Sequence, residues 1–261
     1  MPPKNNDPIR CFEGTTKPHE AFWRMRNAAE TDGDPELEFY GYISEYSWFE
    51  DDITPKKFKD DLYALGNGGP VTIRLNSGGG DVIAASVIRS IISDYPGAVT
   101  VRIDGLAASA AVIVAMAGQK VRIMDTAYMM IHDPAFLVLF ASLDIETLGN
   151  WYNELVSVKK GIVETYAAKT GLKPEKLSKM MADTTWMSAS EAVEYGFANE
   201  IIEGGQSPAS SNVAIVNALK NYRNVPAALL DLEPVPVDEP PVQLLSPEAI
   251  RLQAEVKLIL I

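Results

Sequence analysis

The sequence predicts an α/β fold, and three observations carry the prediction. Short runs rich in β-branched residues alternate with helical segments from residue 37 to residue 202. That alternation favours strands paired in parallel with helices between them. Two glycine-bearing turns, "SGGGD" at 77–81 and "DGLA" at 104–107, fall where a strand gives way to a helix. A chain of 261 residues, 47% hydrophobic and 22% charged, can bury one substantial core and carry appendages. The division read from composition is an N-terminal arm over 1–35, a core over 36–205, and a C-terminal extension over 206–261.

The arm mixes Pro, Asn, Gly and charge, and its "HEAFWRMRNAA" reads as one short helix. The core opens with the strand-like "LEFYGYIS" (37–44). "TPKKFKDDLYAL" (54–65) follows as a helix: Thr54 caps it, Pro55 takes its first position, and Phe58, Leu62 and Leu65 recur every three to four residues. "GNGG" ends that helix, "VTIRLN" (71–76) alternates as a strand, and 82–95 is helical. The pattern then repeats, with a strand at 98–104 and a buried helix entered through the turn at 105. Strands at 120–124 and 127–133 come next. A long helix spans 144–171, where Ile145, Leu148, Trp151, Leu155, Val158, Ile162 and Tyr166 step by three or four and Gly171 stops it. Short helices at 173–182 and 188–196 follow, the second opened by a Ser188/Glu191 capping box. "FANEII" (197–202) reads as the last core strand. Beyond it lie a helix-like piece at 212–222, the acidic Pro-rich linker "LEPVPVDEPP" (232–241), and an amphipathic helix at 246–261.

Charge and composition exclude several function classes. A net charge of −12 disfavours nucleic acid and anionic membranes, since a phosphate-binding face needs clustered Lys and Arg. No apolar run approaches the ~20 residues that span a bilayer. The start "MPPKNNDPIRCFEG" has no apolar signal region, and Cys11 is the single cysteine, so neither a disulfide nor a Cys-rich metal site is expected. A cytoplasmic location without a cofactor fits these features.

The chemistry concentrates at few positions. Ser109 is the one hydroxyl in "DGLAASAAVIVAMAG", four residues after Gly105 and in the first turn of the expected helix. Helix packing is the commonest role for such a serine. Unpaired N–H groups and the dipole at a helix start also stabilise developing negative charge, and small neighbours leave room for a substrate backbone. "NSGGGD" (76–81) reads as a tight turn, a phosphate cradle, or an oxyanion hole for acyl transfer. It lacks both P-loop and dinucleotide spacing. A serine nucleophile needs a base. The chain has only His19, in the polar arm, and His132, at the end of the apolar strand "AYMMIH". The candidates to orient His132 are Asp183, in the loop before Trp186, and Asp133, which should leave the strand on the opposite face.

Four stretches, "NSGGGDV", "DGLAASAA", "YMMIHDP" and "WMSASEAVEYGFANEI", resemble the ClpP-like serine peptidases in order and spacing. "FWRM" and "GYIS…W…DDITP" resemble the phage and prophage branch, the ClpP-related head maturation (prohead) proteases. The similarity covers about 21–202. It implies a ClpP/crotonase-like superhelix of β-β-α units and a Ser-His-Asp triad. It matches Ser109 to the nucleophile, His132 to the general base, and the backbone N–H groups of Gly80 and Ala110 to the oxyanion hole. Two positions depart from the family pattern: Gly78 replaces a proline, and Thr184 stands where the acidic member is expected, with Asp183 one residue earlier. The expectation is that the loop bulges to bring Asp183 to His132. On that expectation Asp183→Asn costs on the order of 10⁴-fold in turnover and Thr184→Val far less.

The resulting expectation is a cytoplasmic serine endopeptidase that forms homo-oligomeric rings and acts on capsid or scaffold proteins, its own tail among the candidates. Docking of an ATP-driven unfoldase is left open. The rival classes are an inert capsid assembly protein that keeps the fold, and a crotonase-type acyl-CoA enzyme, which explains neither Ser109 nor His132.

Overall fold

The computed structural model describes residues 23–28, 33–45, 54–137, 143–204, 219, 222–230 and 259–260. Cys11, His19 and the acidic linker at 232–241 lie outside these residues, as does most of the helix-like piece at 212–222.

The core is an eight-stranded sheet. Strand β1 (Trp23–Arg26) runs antiparallel to β2 (Glu36–Tyr40) along one edge. The "WRMR" stretch therefore extends the sheet instead of forming the helix expected there. From β2 the order continues in parallel through β3 (Val71–Ser77), β4 (Val99–Ala108), β5 (Lys120–Met124) and β9 (Glu200–Ile202). Inward positions such as Leu37, Phe39, Ile73, Leu75, Val101 and Ile103 are fully buried. Their alternation with less buried neighbours follows the two-residue strand period.

Helix α1 (Pro55–Gly66) is capped by Thr54, whose side chain accepts from the Lys57 N–H at 3.3 Å. Helix α2 (Val82–Asp94) starts at Asp81, whose carboxylate accepts from Ala84 at 2.7 Å. Both caps satisfy N–H groups that a helix start leaves free.

Strand β4 runs four residues further than the sequence suggests, and the site depends on the difference. Its first half pairs with β5 (Thr100 to Lys120 through Ile103 to Ile123). Its second half leaves β5 and pairs with β6 (Tyr128–Ile131), Leu106 to Tyr128 through Ala108 to Met130. The register against β3 shifts between Leu75 and Ser77, where the buried Asn76 side chain accepts from the Leu106 N–H at 3.0 Å. The glycine at 105 thus marks a change of partner within a strand, not its end. The short helix α3 (Ala110–Ala115) begins after Ser109, and all six of its residues are buried.

After β7 (Phe136–Leu137) comes the long helix α4 (Ile145–Thr170), capped by Asp144 and stopped by Gly171 in the left-handed conformation at φ 73°. Only Ile162, Val163 and Tyr166, all in its second half, are buried. The periodic residues Ile145 and Leu148 of its first half are exposed. Helix α5 (Pro174–Ala182) leads into β8 (Thr185–Ser188), antiparallel to β6, and then helix α6 (Ala189–Glu194) with its Ser188/Glu191 capping box. The sequence reading treats 183–187 as loop, since four residues are too few to show alternation.

Helix α7 (Ala227–Leu230) and β10 (Ile259–Leu260) complete the described elements. Ile259–Leu260 pairs antiparallel with β7. The expected terminal helix therefore does not include them, and residues 246–258 lie outside the description. Among the described residues, no helix is long and apolar enough to cross a membrane.

Candidate active site

Strands β3, β4 and β6 end on the same side of the sheet, and the candidate residues gather there. Ser109 follows the last residue of β4, and its N–H donates to the Met130 carbonyl of β6 at 2.8 Å. His132 comes two residues after Met130. The pairing of these two strand ends brings the Ser109 hydroxyl to 2.7 Å from His132 Nε2. Ser109 is 7% exposed and holds φ 56°, ψ −125°, outside the regions ordinary residues prefer. Such a strand-to-helix turn aims a hydroxyl outward at the start of a helix.

The glycine loop closes the site from β3. A Cβ on Gly79 (φ 102°) would lie 2.7 Å from the Ala108 carbonyl oxygen and 2.8 Å from the Ser109 Cβ, so only glycine lets the loop approach this closely. Ser77 shapes the loop, donating its hydroxyl to the Gly41 carbonyl at 2.6 Å and accepting from the Gly79 N–H at 3.1 Å. Gly80 forms a parallel bridge with Ile43, in which the Gly79 carbonyl and the Asp81 N–H face Ile43. In such a bridge the N–H of Gly80 itself points the other way, toward the β4 side that carries Ser109. Ala110 is the first residue of α3, so its N–H has no intrahelical acceptor.

Burial holds the His132 imidazole below the usual histidine range. The charge and backbone of Asp133 pull the other way, and Arg223 adds to the lowering. A neutral imidazole with a free lone pair on Nε2 can accept the serine proton. The Asp133 carboxylate is itself held by Lys159 of α4, at 2.7 and 2.9 Å to its two oxygens. This tether from the long helix to the residue beside the base carries no signal in the sequence, since the two are 26 positions apart.

The structure does not bring Asp183 to His132. Asp183 terminates α5, and its carboxylate pairs with Lys179 at 2.6 Å with 57% of the side chain exposed. The β6–β8 register pairs Ile131 with Thr185. Thr185 is the last β8 residue in that ladder, and Asp183 and Thr184 lie before it in the turn that follows α5. Thr184 is 5% exposed and has φ 53°, a rare conformation for a β-branched residue.

Residues from the C-terminal extension also reach the site. The Tyr222 hydroxyl donates to the Gly78 carbonyl at 2.6 Å, and its ring lies 5.1 Å from the His132 ring. The sequence offers no motif that would have placed a residue from beyond 205 here.

Among the described residues, no cluster of three or more His, Cys, Asp or Glu side chains could hold a metal ion. A serine hydroxyl within 2.7 Å of an imidazole nitrogen suits attack on a carbonyl carbon.

The sequence pattern of the family described as Clp protease matches residues 52–205, more than half of the chain. The ATP-dependent Clp protease proteolytic subunit 2 of Thermobifida fusca (strain YX) is 31% identical over 134 residues, covering 51% of this chain and 64% of that protein. The proteolytic subunit 1 of Chlamydia abortus (strain DSM 27085 / S26/3) is 29% identical over 167 residues, 59% of this chain and 84% of that one. The aligned part therefore spans just under two thirds of the first of these relatives. Among solved structures, ClpP1 from Listeria monocytogenes superposes with a TM-score of 0.52 at 28% identity, covering 64% of this chain and 90% of that one. A point mutant of the same Listeria protein gives a TM-score of 0.54.

Proposed function

The chain belongs to the Clp protease family and has its fold, and from that premise we propose that it is a serine endopeptidase. The observation that carries the proposal is the 2.7 Å contact between the Ser109 hydroxyl and His132 Nε2 at the mouth of the glycine loop. Ser109 attacks the scissile carbonyl as His132 takes its proton, and the Gly80 and Ala110 N–H groups receive the oxyanion. His132 then returns the proton to the leaving amine, and an acyl ester remains on Ser109. Water, activated by the same imidazole, hydrolyses the ester and regenerates the hydroxyl. No step needs a cofactor. The residue that supports His132 from behind is Thr184 or a displaced Asp183, and the burial of Thr184 beside the exposed Asp183–Lys179 pair favours Thr184.

The finer reading is a phage-type head maturation protease of the host cytoplasm, acting on capsid or scaffold proteins as a ring of identical subunits. It is supported by the "FWRM" and "DDITP" stretches and by the long extension after 205. A catalytically weak assembly protein is the second reading, favoured by the placement of Asp183 on Lys179.

The test is hydrolysis of casein and of fluorogenic peptides by the wild type and by Ser109→Ala. The peptidase predicts turnover that disappears in Ser109→Ala. Equal turnover in both, or none under any condition in a folded, assembled wild type, favours the assembly protein.

A further inference from the structure

The face of β4 and β6 that carries Leu106, Ala108 and Met130 is turned away from the main core, and a piece of the C-terminal extension covers it. Leu219 and Leu229 are 2% and 6% exposed on that face, with Tyr222, Val225, Tyr128 and Trp186 packed around them. Uncovered, this would be an apolar surface beside a nucleophile, the kind of surface that binds an extended apolar peptide. Polar contacts fix the segment at one register. Trp186 Nε1 donates to the Arg223 carbonyl at 2.9 Å, and Asn224 Nδ2 donates to the Asp183 carbonyl at 3.1 Å. The Tyr222 hydroxyl donates to the Gly78 carbonyl at 2.6 Å, in the glycine loop that packs against Ser109 through Gly79. Its ring stands 5.1 Å from that of His132 and 6.3 Å from that of Trp186.

We infer that the segment bearing Leu219 and residues 222–230 is a built-in inhibitor of the Ser109 site, seated in the cleft that a peptide substrate must enter. The inference rests on the reading of Ser109 as a nucleophile. Packing alone would be served by a phenylalanine at 222, whereas the hydroxyl is bonded to the glycine loop while the ring lies against His132. A substrate carbonyl that is to be attacked by Ser109 needs the space this phenol fills. The inhibitor presents a side chain to Ser109, so the segment blocks without being cut at Tyr222 in this pose. Two leucine anchors and a few hydrogen bonds hold a short segment, which makes it a unit that opens locally without unfolding the core. The activity observed at any moment is then the intrinsic activity multiplied by the open fraction.

The experiment measures the rate at which a fluorophosphonate probe labels Ser109 in the full-length protein, with hydrogen exchange of residues 219–230 followed in parallel. Tyr222→Ala is expected to label at least tenfold faster than wild type and to lose protection across the segment. Tyr222→Phe, which loses only the hydroxyl contacts, is expected to gain about three- to tenfold, the worth of one such bond. Leu229→Asp, remote from the reacting atoms, is expected to accelerate labelling by unseating the anchor. It keeps the test decisive if Tyr222→Ala folds poorly. Equal labelling rates in wild type, Tyr222→Ala and Leu229→Asp would overturn the inhibitor. Loss of protection with no labelling of Ser109 in any variant would overturn it through the nucleophile on which it rests, a different signature from equal rates.

Discussion

Ser109 sits at φ 56°, and its hydroxyl has His132 as partner. Replacing it with alanine leaves His132 Nε2 without that partner, at a cost of about 1–2 kcal/mol. Ser109→Ala is therefore expected to fold and assemble like the wild type while losing peptide hydrolysis, as circular dichroism and a fluorogenic assay would show together. His132 sets the pH response. Burial penalises its charged form and outweighs the opposing pull of Asp133, so its pKa lies below the ordinary 6.5. The base is needed neutral, so kcat/KM should rise with pH through a midpoint under 6.5 and stay flat above it. A midpoint about one unit above the ordinary histidine value would place another group in the role. At the third position the geometry reverses the ranking expected from sequence. Asp183 is an exposed partner of Lys179, whereas Thr184 is buried immediately before β8. Asp183→Asn should change kcat by less than about threefold, in line with the small worth of an exposed ion pair. Thr184→Val should cost more. A fall of roughly 10⁴-fold for Asp183→Asn would show that the loop rearranges in the working enzyme.

Secondary structure elements, more than single residues, hold these groups in place. The glycine loop touches Ser109 through Gly79, where a Cβ would strike both the Ala108 carbonyl and the Ser109 side chain. Gly79→Ala should therefore cut kcat by at least tenfold and also lower the melting temperature, because a Cβ at φ 102° meets the Ala108 carbonyl and strains the turn. Unchanged turnover would mean that the loop is not part of the oxyanion wall. Most elements were legible in the sequence because their signals are local. The Thr54–Pro55 start, the Ser188/Glu191 box and the Gly171 stop each need only a few neighbours. What was not legible depends on distant partners. Strand β4 continues past Gly105 because β6 supplies a new ladder. Strand β8 exists because β6 offers an edge. The tether from Lys159 to Asp133 and the seat of Tyr222 at Gly78 join positions 26 and 144 residues apart, and no periodicity reports them.

Among the described residues, the long helix α4 carries an exposed apolar stripe. Ile145, Leu148, Tyr152 and Val156 step along one face of α4 and are 90%, 51%, 68% and 49% exposed. Tyr166, at the far end of the same periodic series, is instead buried against Phe197. A monomer leaves this stripe in water, whereas a ring of identical subunits would cover it. Light scattering should give a mass several times 28.5 kDa, and Leu148→Asp with Tyr152→Asp should lower it. A monomeric wild type at micromolar concentration would count against the ring. The central claim, that Ser109 is a nucleophile activated by His132, is tested most directly by peptide mapping after exposure to a fluorophosphonate probe. The account predicts one phosphonyl adduct, on the peptide bearing Ser109, present in wild type and absent from His132→Ala over the same interval. No adduct at Ser109, or an equal adduct without His132, would contradict it.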